Sequence, residues 1–193
     1  MAKGSDYERE VCTTLSRWWT DGKRDDIFWR SAGSGARATV RGKRGKQTAN
    51  QHGDVAAVDP IGAPLTDLFS IEIKRGYSSS TIHDLLDRKD KSAELLYDEW
   101  FCKAIDSCKS AGTFSWLLIS RRDRREPIIW MPDEVRVVFQ VVGVHFVFSP
   151  YTNMIVRLRR KNVRFCLHVF GLRLDDFLRN VTRQEILELQ KIA

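Results

Sequence analysis

The sequence contains no long hydrophobic run. No segment approaches the about 20 consecutive apolar residues that a membrane-spanning helix needs, so we expect no membrane partner. The four cysteines form no Cys-x-x-Cys pair, and reduced thiols in a cytoplasmic protein are the simplest interpretation. The first residues are polar and lack the pattern of a signal peptide, which also predicts a cytoplasmic location.

The composition is that of an ordinary globular protein with an excess of positive charge. Hydrophobic residues make up 42% of the chain and charged residues 30%, and 193 residues predict one domain, 1–193, with a real core. The net charge of +7 and the pI of about 9.4 favour a polyanionic partner. Charge alone does not separate DNA from RNA or from an anionic membrane.

Four short segments bring chemically active residue types together in a fixed order. They are residues 3–10 (KGSDYERE), 30–34 (RSAGS), 53–55 (GDV) and 71–74 (IEIK). Each is weak alone. Together they supply three carboxylates and a lysine, the groups that bring a divalent metal to a phosphodiester.

The first segment predicts a helix with one acidic residue on its apolar side. Ser5 followed by Glu8 is a capping-box pattern, so a helix should begin near Asp6. Its apolar side is formed by Tyr7, Val11, Leu15 and Trp18. Glu8 lies on that side and Glu10 on the solvated side. Glu8 therefore serves a site or, alternatively, only closes the capping box.

The last two segments predict a pair of neighbouring strands that carry the other charges. Residues 68–74 form a strand on which Glu72 and Lys74 point to the same face, and Asp54 opens the short strand before it. An E-x-K pattern is common by chance, so the inference rests on Asp54, on Glu8 and on the order of all segments. The alternative is a surface ion pair between Glu72 and Lys74, which would stabilise little.

These residue types suit metal-dependent hydrolysis. Mg²⁺ prefers oxygen ligands and is often held by one or two carboxylates with water and phosphate, a role open to Asp54 and Glu72. The metal would polarise a phosphoryl oxygen and lower the pKa of a bound water. Lys74 would orient that water or neutralise the developing charge.

The order and wording of the segments resemble the PD-(D/E)XK nucleases and, within them, the archaeal-type Holliday junction resolvases, over about residues 3–125. The resemblance implies Glu8, Asp54, Glu72 and Lys74 as the catalytic set. It adds the Ile73 carbonyl as a third metal ligand beside Asp54 and Glu72. It also implies that Glu8 supports a second metal ion or a water bound to the metal. Residues 126–193 resemble no family.

The resemblance also implies residues that contact DNA. It places Arg30 and Ser31 beside the scissile phosphate, although an ordinary strand exit with a solvated arginine is the alternative. Arg9, after the helix glutamate, can touch DNA, and Arg75 opens a polar loop that could lie near the site.

One segment departs from the resembled pattern. Residues 34–53 replace a short loop and contain five basic residues and no acid. The basic residues are Arg37, Arg41, Lys43, Arg44 and Lys46. Such a loop should be mobile without a partner; a DNA clamp is favoured over a merely solvated loop.

The expected fold is α/β. The predicted elements follow one another as a helix, three strands, a helix within 92–110 and a strand at 113–120. This order matches the α-β-β-β-α-β core that the resemblance implies, a central mixed sheet flanked by helices over about residues 3–131. A C-terminal elaboration, about 132–193, should contain a β-hairpin (154–159 and 163–170) and a last helix that begins after the capping box of Thr182. For 134–148, helix and strand both remain open.

The hairpin has an alternating pattern. Its predicted core face is Met154, Val156, Leu158, Val163, Phe165, Leu167 and Val169. Its other face carries Arg157, Arg159, Arg164 and His168. This second face is either a solvated outer surface, the plainer interpretation, or a second phosphate-contacting surface.

The predicted function is a Mg²⁺-dependent DNA endonuclease, with Mn²⁺ as a substitute, acting on four-way junctions or other branched DNA in recombination. A junction needs two symmetric cuts, so we expect a homodimer. Phe146, Phe148, Phe170 and Phe177 would form part of the interface or else complete the core. The alternatives are a restriction-type or nicking nuclease and a non-catalytic nucleic-acid-binding protein on the same fold.

Overall fold

The computed structural model describes residues 3–31, 53–76, 79–89, 93–146, 149–161 and 163–193. Residues 34–52 of the predicted basic loop lie outside the described residues, and so does Phe148. No described helix is long and apolar enough to cross a membrane.

Seven α-helices and seven strands occur within the described ranges. The helices are α1 (Lys3–Trp19), α2 (Ala63–Leu68), α3 (Asp84–Asp87), α4 (Leu96–Ala111), α5 (Asp133–Val141), α6 (Leu174–Asn180) and α7 (Arg183–Ile192). The strands are β1 (Phe28–Arg30), β2 (Val55–Ala57), β3 (Phe69–Arg75), β4 (Ser115–Arg121), β5 (Ile128–Pro132), β6 (Tyr151–Arg160) and β7 (Val163–Arg173).

The central sheet is mixed, as predicted. Its strand order is β3-β4-β5-β7-β6, with β3 and β4 parallel and the other neighbours antiparallel. The parallel pair requires a crossover connection, which contains α4. Strands β1 and β2 form a separate antiparallel ribbon, joined to β3 by the bond from the Asp54 N–H to the Ile71 carbonyl, 2.7 Å.

Helix α1 begins earlier than its capping pattern predicts. It includes Lys3, so Ser5 lies inside the first turn and is not the N-cap. Glu8 is then not needed to close a capping box, and its carboxylate accepts from the Arg30 guanidinium. Tyr7 on the predicted apolar side is fully buried, whereas Trp18 is only partly buried, because α1 turns Trp19 toward the core.

The larger core lies on the α1 side of the sheet. Ile71 and Ile73 of β3 join it, and so do three phenylalanines from the C-terminal third, Phe146, Phe170 and Phe177, which are 6%, 1% and 1% exposed. Of the two alternatives for these three residues, an interface or the core, the core is confirmed. The sheet face that they cover would otherwise be exposed, so they complete the core.

A second core lies between α4 and the other face of the sheet, with aromatic rings from Tyr97, Phe101 and Trp130. Val156, Leu158 and Val169 of the hairpin are buried there as predicted, with the hairpin ladder running through β6 and β7. The prediction for Val163 is wrong. It is 63% exposed because it starts β7 at the tip of the hairpin.

The C-terminal region also settles the open segment. Residues 133–141 form α5, so the helix interpretation of this stretch is the correct one. Thr182 caps α7, and its main-chain N–H donates to Glu185, the predicted capping box.

The outer edge of β6 is covered by a buried ion pair. Arg88, just after α3, donates to Asp98 at 2.5 Å and to the Arg157 carbonyl. Asp98 also accepts the Arg159 main-chain N–H at 2.8 Å. The fully buried Asp98 carboxylate is thereby paired and hydrogen-bonded, as a buried charge must be.

Candidate metal centre

A glycine fixes the start of β2 against β3. Gly53 has φ +76°, and a Cβ there would lie 2.7 Å from the Ile71 carbonyl oxygen, too close for any side chain. The Gly53 carbonyl accepts the Ser31 hydroxyl at 2.6 Å. Because Asp54 follows directly and bonds Ile71, this contact places its carboxylate beside β3.

Three oxygen atoms from these strands meet at one cation. The Lys74 ammonium lies 3.2 Å from an Asp54 carboxylate oxygen, 2.8 Å from a Glu72 carboxylate oxygen and 3.2 Å from the Ile73 carbonyl oxygen. Asp54 is 4% exposed and Glu72 1%. The three predicted metal ligands therefore converge on a single positively charged group.

Helix α4 supplies two further partners for Glu72. The Ser107 hydroxyl donates to one carboxylate oxygen at 2.6 Å, and the Lys103 ammonium lies 3.3 Å from the other. The two residues are four apart and share a helix face. Sequence reasoning missed both, and the only available signal was a polar i, i+4 pair on a helix whose other side is apolar.

The two carboxylates have opposite pKa shifts. Burial raises the pKa of Asp54, and the negative charge of Glu72 raises it further. Burial also acts to raise the pKa of Glu72, but the ammonium groups of Lys74 and Lys103 outweigh it, so its pKa is lowered. Burial opposes the charge of Lys74, yet the two carboxylates raise its pKa. Glu72 is thus the more firmly ionised member.

Glu8 and Arg30 form a neighbouring, half-buried ion pair. Burial raises the pKa of the nearby Cys12 thiol to about 12, and the negative charges of Glu8 and Asp54 add to the rise. In the ranges that the structure describes, no group of three or more His, Cys, Asp and Glu side chains is placed to hold a metal. The structure thus shows a two-carboxylate centre with Glu8 beside it.

The remaining predicted DNA contacts lie around this centre to different degrees. Ser31 is buried against Gly53. Arg75 lies against the ring of Tyr7, 5.8 Å from its centroid. Arg9 is on the exposed surface, paired with Asp6 at 3.5 Å.

The donor set fits a hard divalent cation. Two carboxylates and a main-chain carbonyl are oxygen ligands of the kind that Mg²⁺, Mn²⁺ and Ca²⁺ prefer. They already surround one positive charge at about hydrogen-bond distance, so their arrangement suits a cation without rebuilding either strand.

Comparison with known families decides among the α/β possibilities. The model of a family described as phage putative PDDEXK endonuclease matches residues 1–188. The chain belongs to this family. Searches of curated proteins and of solved structures find no significant match. The family match includes the hairpin, α6 and part of α7, so most of the C-terminal third of the chain belongs to what the family model describes. Membership supports a nuclease that uses a divalent metal on DNA.

Proposed function

We propose that this PDDEXK endonuclease hydrolyses phosphodiester bonds in branched DNA with Mg²⁺, or with Mn²⁺ as a substitute. The observation that carries the proposal is the meeting of Asp54, Glu72 and the Ile73 carbonyl at one cation. These groups would hold the metal, which when bound supplies Lewis-acid chemistry to a phosphoryl oxygen and acidifies water.

The other residues would act on phosphate and water. Lys74, whose positive charge is held by two carboxylates, would neutralise charge that develops on the phosphate. Arg30 offers a planar guanidinium to a phosphate oxygen, and Glu8 would orient Arg30 through their ion pair. Ser31 is held by Gly53 next to Asp54, which favours a supporting role in the site.

Branched DNA and a homodimer are the finer part of the proposal. A four-way junction needs two symmetric cuts, and one chain offers one candidate centre. The resemblance to dimeric resolvases and the frequency of two-fold dimers support this assembly. Light scattering of the protein, free and with a bound four-way junction, should give two protomers; a monomer in both conditions would favour a nuclease that nicks one strand at a time.

The decisive experiment is cleavage of a DNA panel. Linear, nicked, flapped and four-way DNAs are incubated with the protein in Mg²⁺ and in EDTA. We expect symmetric cuts in the four-way DNA that require Mg²⁺. Cleavage that persists in EDTA would reject the metal mechanism, and equal cleavage of linear DNA would reject the preference for branched substrates.

A further inference from the structure

The hairpin carries a concentrated positive charge that the proposed function leaves unexplained. Residues 149–173 contain five arginines and one lysine but no aspartate or glutamate. The net charge of the whole chain is only +7. Its excess positive charge is therefore concentrated in this segment and in the basic loop, while the rest of the chain has more acidic than basic residues.

The strand register collects these charges on one face. Arg159 lies directly opposite Arg164, and Arg157 lies opposite Cys166. The register thus brings Arg157, Arg159 and Arg164 to one face of the hairpin, where a polyanion would meet several positive charges together.

A cleft opens on this face. Its volume is about 330 Å³. Its lining residues are four arginines, Arg88, Arg157, Arg159 and Arg164, and three apolar residues, Leu85, Leu86 and Ile155. Arginine forks match phosphate oxygens in geometry as well as in charge.

Three described acids hold the hairpin in place. Asp98 is buried and holds Arg88 and the β6 main chain. Asp106 binds Arg160 at 2.6 Å, and Glu94 accepts the main-chain N–H of Lys161. These carboxylates anchor the hairpin to α4 and to the segment before it, and they do not line the arginine cleft.

Helix α4 connects the hairpin to the candidate centre. Ser107 binds Glu72, and its neighbour Asp106 binds Arg160 at the hairpin tip. Side chains alternate along a strand, so Arg160 lies on the face of β6 that packs on α4, and Arg157 and Arg159 lie on the other face. The arginine face is therefore a surface separate from the centre.

We propose that the arginine face of the β6–β7 hairpin, formed by Arg157, Arg159 and Arg164, binds the phosphate backbone of the DNA substrate outside the cleavage centre. The inference rests on the proposed function, because it takes the partner to be the DNA that the centre cuts. The contacts are to phosphates, so they strengthen binding without reading sequence.

The test is the salt dependence of binding. A fluorescent four-way DNA is titrated in EDTA with the wild type and with the triple variant Arg157→Gln, Arg159→Gln and Arg164→Gln. Each lost phosphate contact should lower the log–log slope by about 0.9, so the triple variant should lose as much as about 2.7. Where the triple variant does not fold, Arg157→Gln alone should lose about 0.9.

The matched control removes the same charge from another surface. Arg17, Arg179 and Lys191 lie on α1, α6 and α7, and their side chains are 62%, 69% and 66% exposed. Their triple change to Gln should leave the slope within about one contact of the wild type. Equal slopes in the hairpin variant and in the wild type, or equal losses in the two triple variants, would overturn the proposal.

Cleavage of the same DNA in Mg²⁺ separates this inference from the nuclease proposal. If the wild type does not cut DNA but the hairpin variant has a smaller salt-dependence slope than the wild type, the binding surface is supported and the nuclease proposal is rejected. If the wild type cuts DNA but the hairpin variant has the same salt-dependence slope as the wild type, the nuclease proposal is supported and the binding surface is rejected.

Discussion

The two edges of the central sheet use charge in opposite ways. At the β3 edge, Asp54, Glu72 and Lys74 are largely buried and each contacts the others or the main chain. At the β6 edge, Arg157 and Arg164 are exposed and stand on a two-stranded hairpin. Buried charges cannot lose one partner without leaving another uncompensated, whereas exposed charges contribute singly. The β3 edge is therefore suited to catalysis, and the β6 edge is suited to DNA binding in which each arginine adds separately to the affinity.

The largest effect should follow loss of a carboxylate. Glu72→Ala or Asp54→Ala should lower single-turnover cleavage by at least about 10²–10³-fold, the scale of losing one key electrostatic group, and should also abolish Mn²⁺ binding measured by electron paramagnetic resonance. DNA affinity in EDTA should stay near wild type because many basic residues share it. An active Glu72→Ala would contradict the assigned centre.

Lys74 should separate metal binding from cleavage. Lys74→Met removes the cation that faces Asp54 and Glu72, so the unfolding free energy in EDTA should fall by about 3 kcal/mol. Mn²⁺ should bind more tightly and restore stability, while cleavage stays lost. Thermal denaturation with and without Mn²⁺ measures this, and a variant that neither loses stability in EDTA nor gains it from Mn²⁺ would show that the ammonium and the metal do not share these oxygens.

Gly53 tests the position of the centre. Gly53→Ala combines a positive φ with a Cβ contact of 2.7 Å to Ile71, and should cost about 1–3 kcal/mol with reduced cleavage. Gly22→Ala is the control, because Gly22 has φ +79° but open space around its Cβ. Denaturant unfolding should show a larger loss for Gly53; equal losses would mean that the close approach to β3 does not matter.

The sequence was sufficient for the parts of the centre that depend on local periodicity. Strand alternation places Glu72 and Lys74 on one face, and Asp54 begins the neighbouring strand. It was insufficient for Ser107 and Lys103, because the rotation of α4 against β3 is set by packing between residues more than 25 positions apart. For the same reason the sequence left open whether the C-terminal phenylalanines complete the core, since the partners of Phe177 lie on α1 and α5.

The hairpin shows a similar division. Alternation predicted the opposite faces of β6 and β7 and so the shared face of its arginines. Periodicity does not say where the covering layer ends, which is why Val163, at the tip, was wrongly placed inside. It also gave no sign of α2 or α3, short helices that lie between the predicted elements.

Ser107 should have a smaller effect, visible in pH dependence. Its hydroxyl helps to lower the pKa of Glu72, so Ser107→Ala should raise that pKa and shift the acidic limb of the cleavage profile to higher pH. About 1 kcal/mol for one hydrogen bond corresponds to a several-fold loss at acidic pH. Ser110→Ala, exposed on the same helix, is the control, and an unshifted profile for Ser107→Ala would remove its positioning role.

The smallest effects are the differences between double substitutions and the sums of the single ones, and these differences should distinguish the two edges of the sheet. Changes of Arg157 and Arg164 to Gln should add in the free energy of DNA binding, because each loses its own phosphate contact. Glu72→Gln combined with Ser107→Ala should cost less in cleavage than the sum of the single changes, because both act on one carboxylate. Double-mutant cycles measure both sums, and strong coupling at the hairpin would make its arginines a single site.

The ion pair on the outer edge of β6 has a consequence for how copies of the chain can meet. An open edge strand is a template that another strand can join, leading to continuous sheets between molecules or to aggregation. Arg88 and Asp98 already take up the Arg157 carbonyl and the Arg159 N–H. Strand addition at this point would need a buried ion pair to break, so self-association through an extended sheet is blocked here and the proposed dimer must form through another surface.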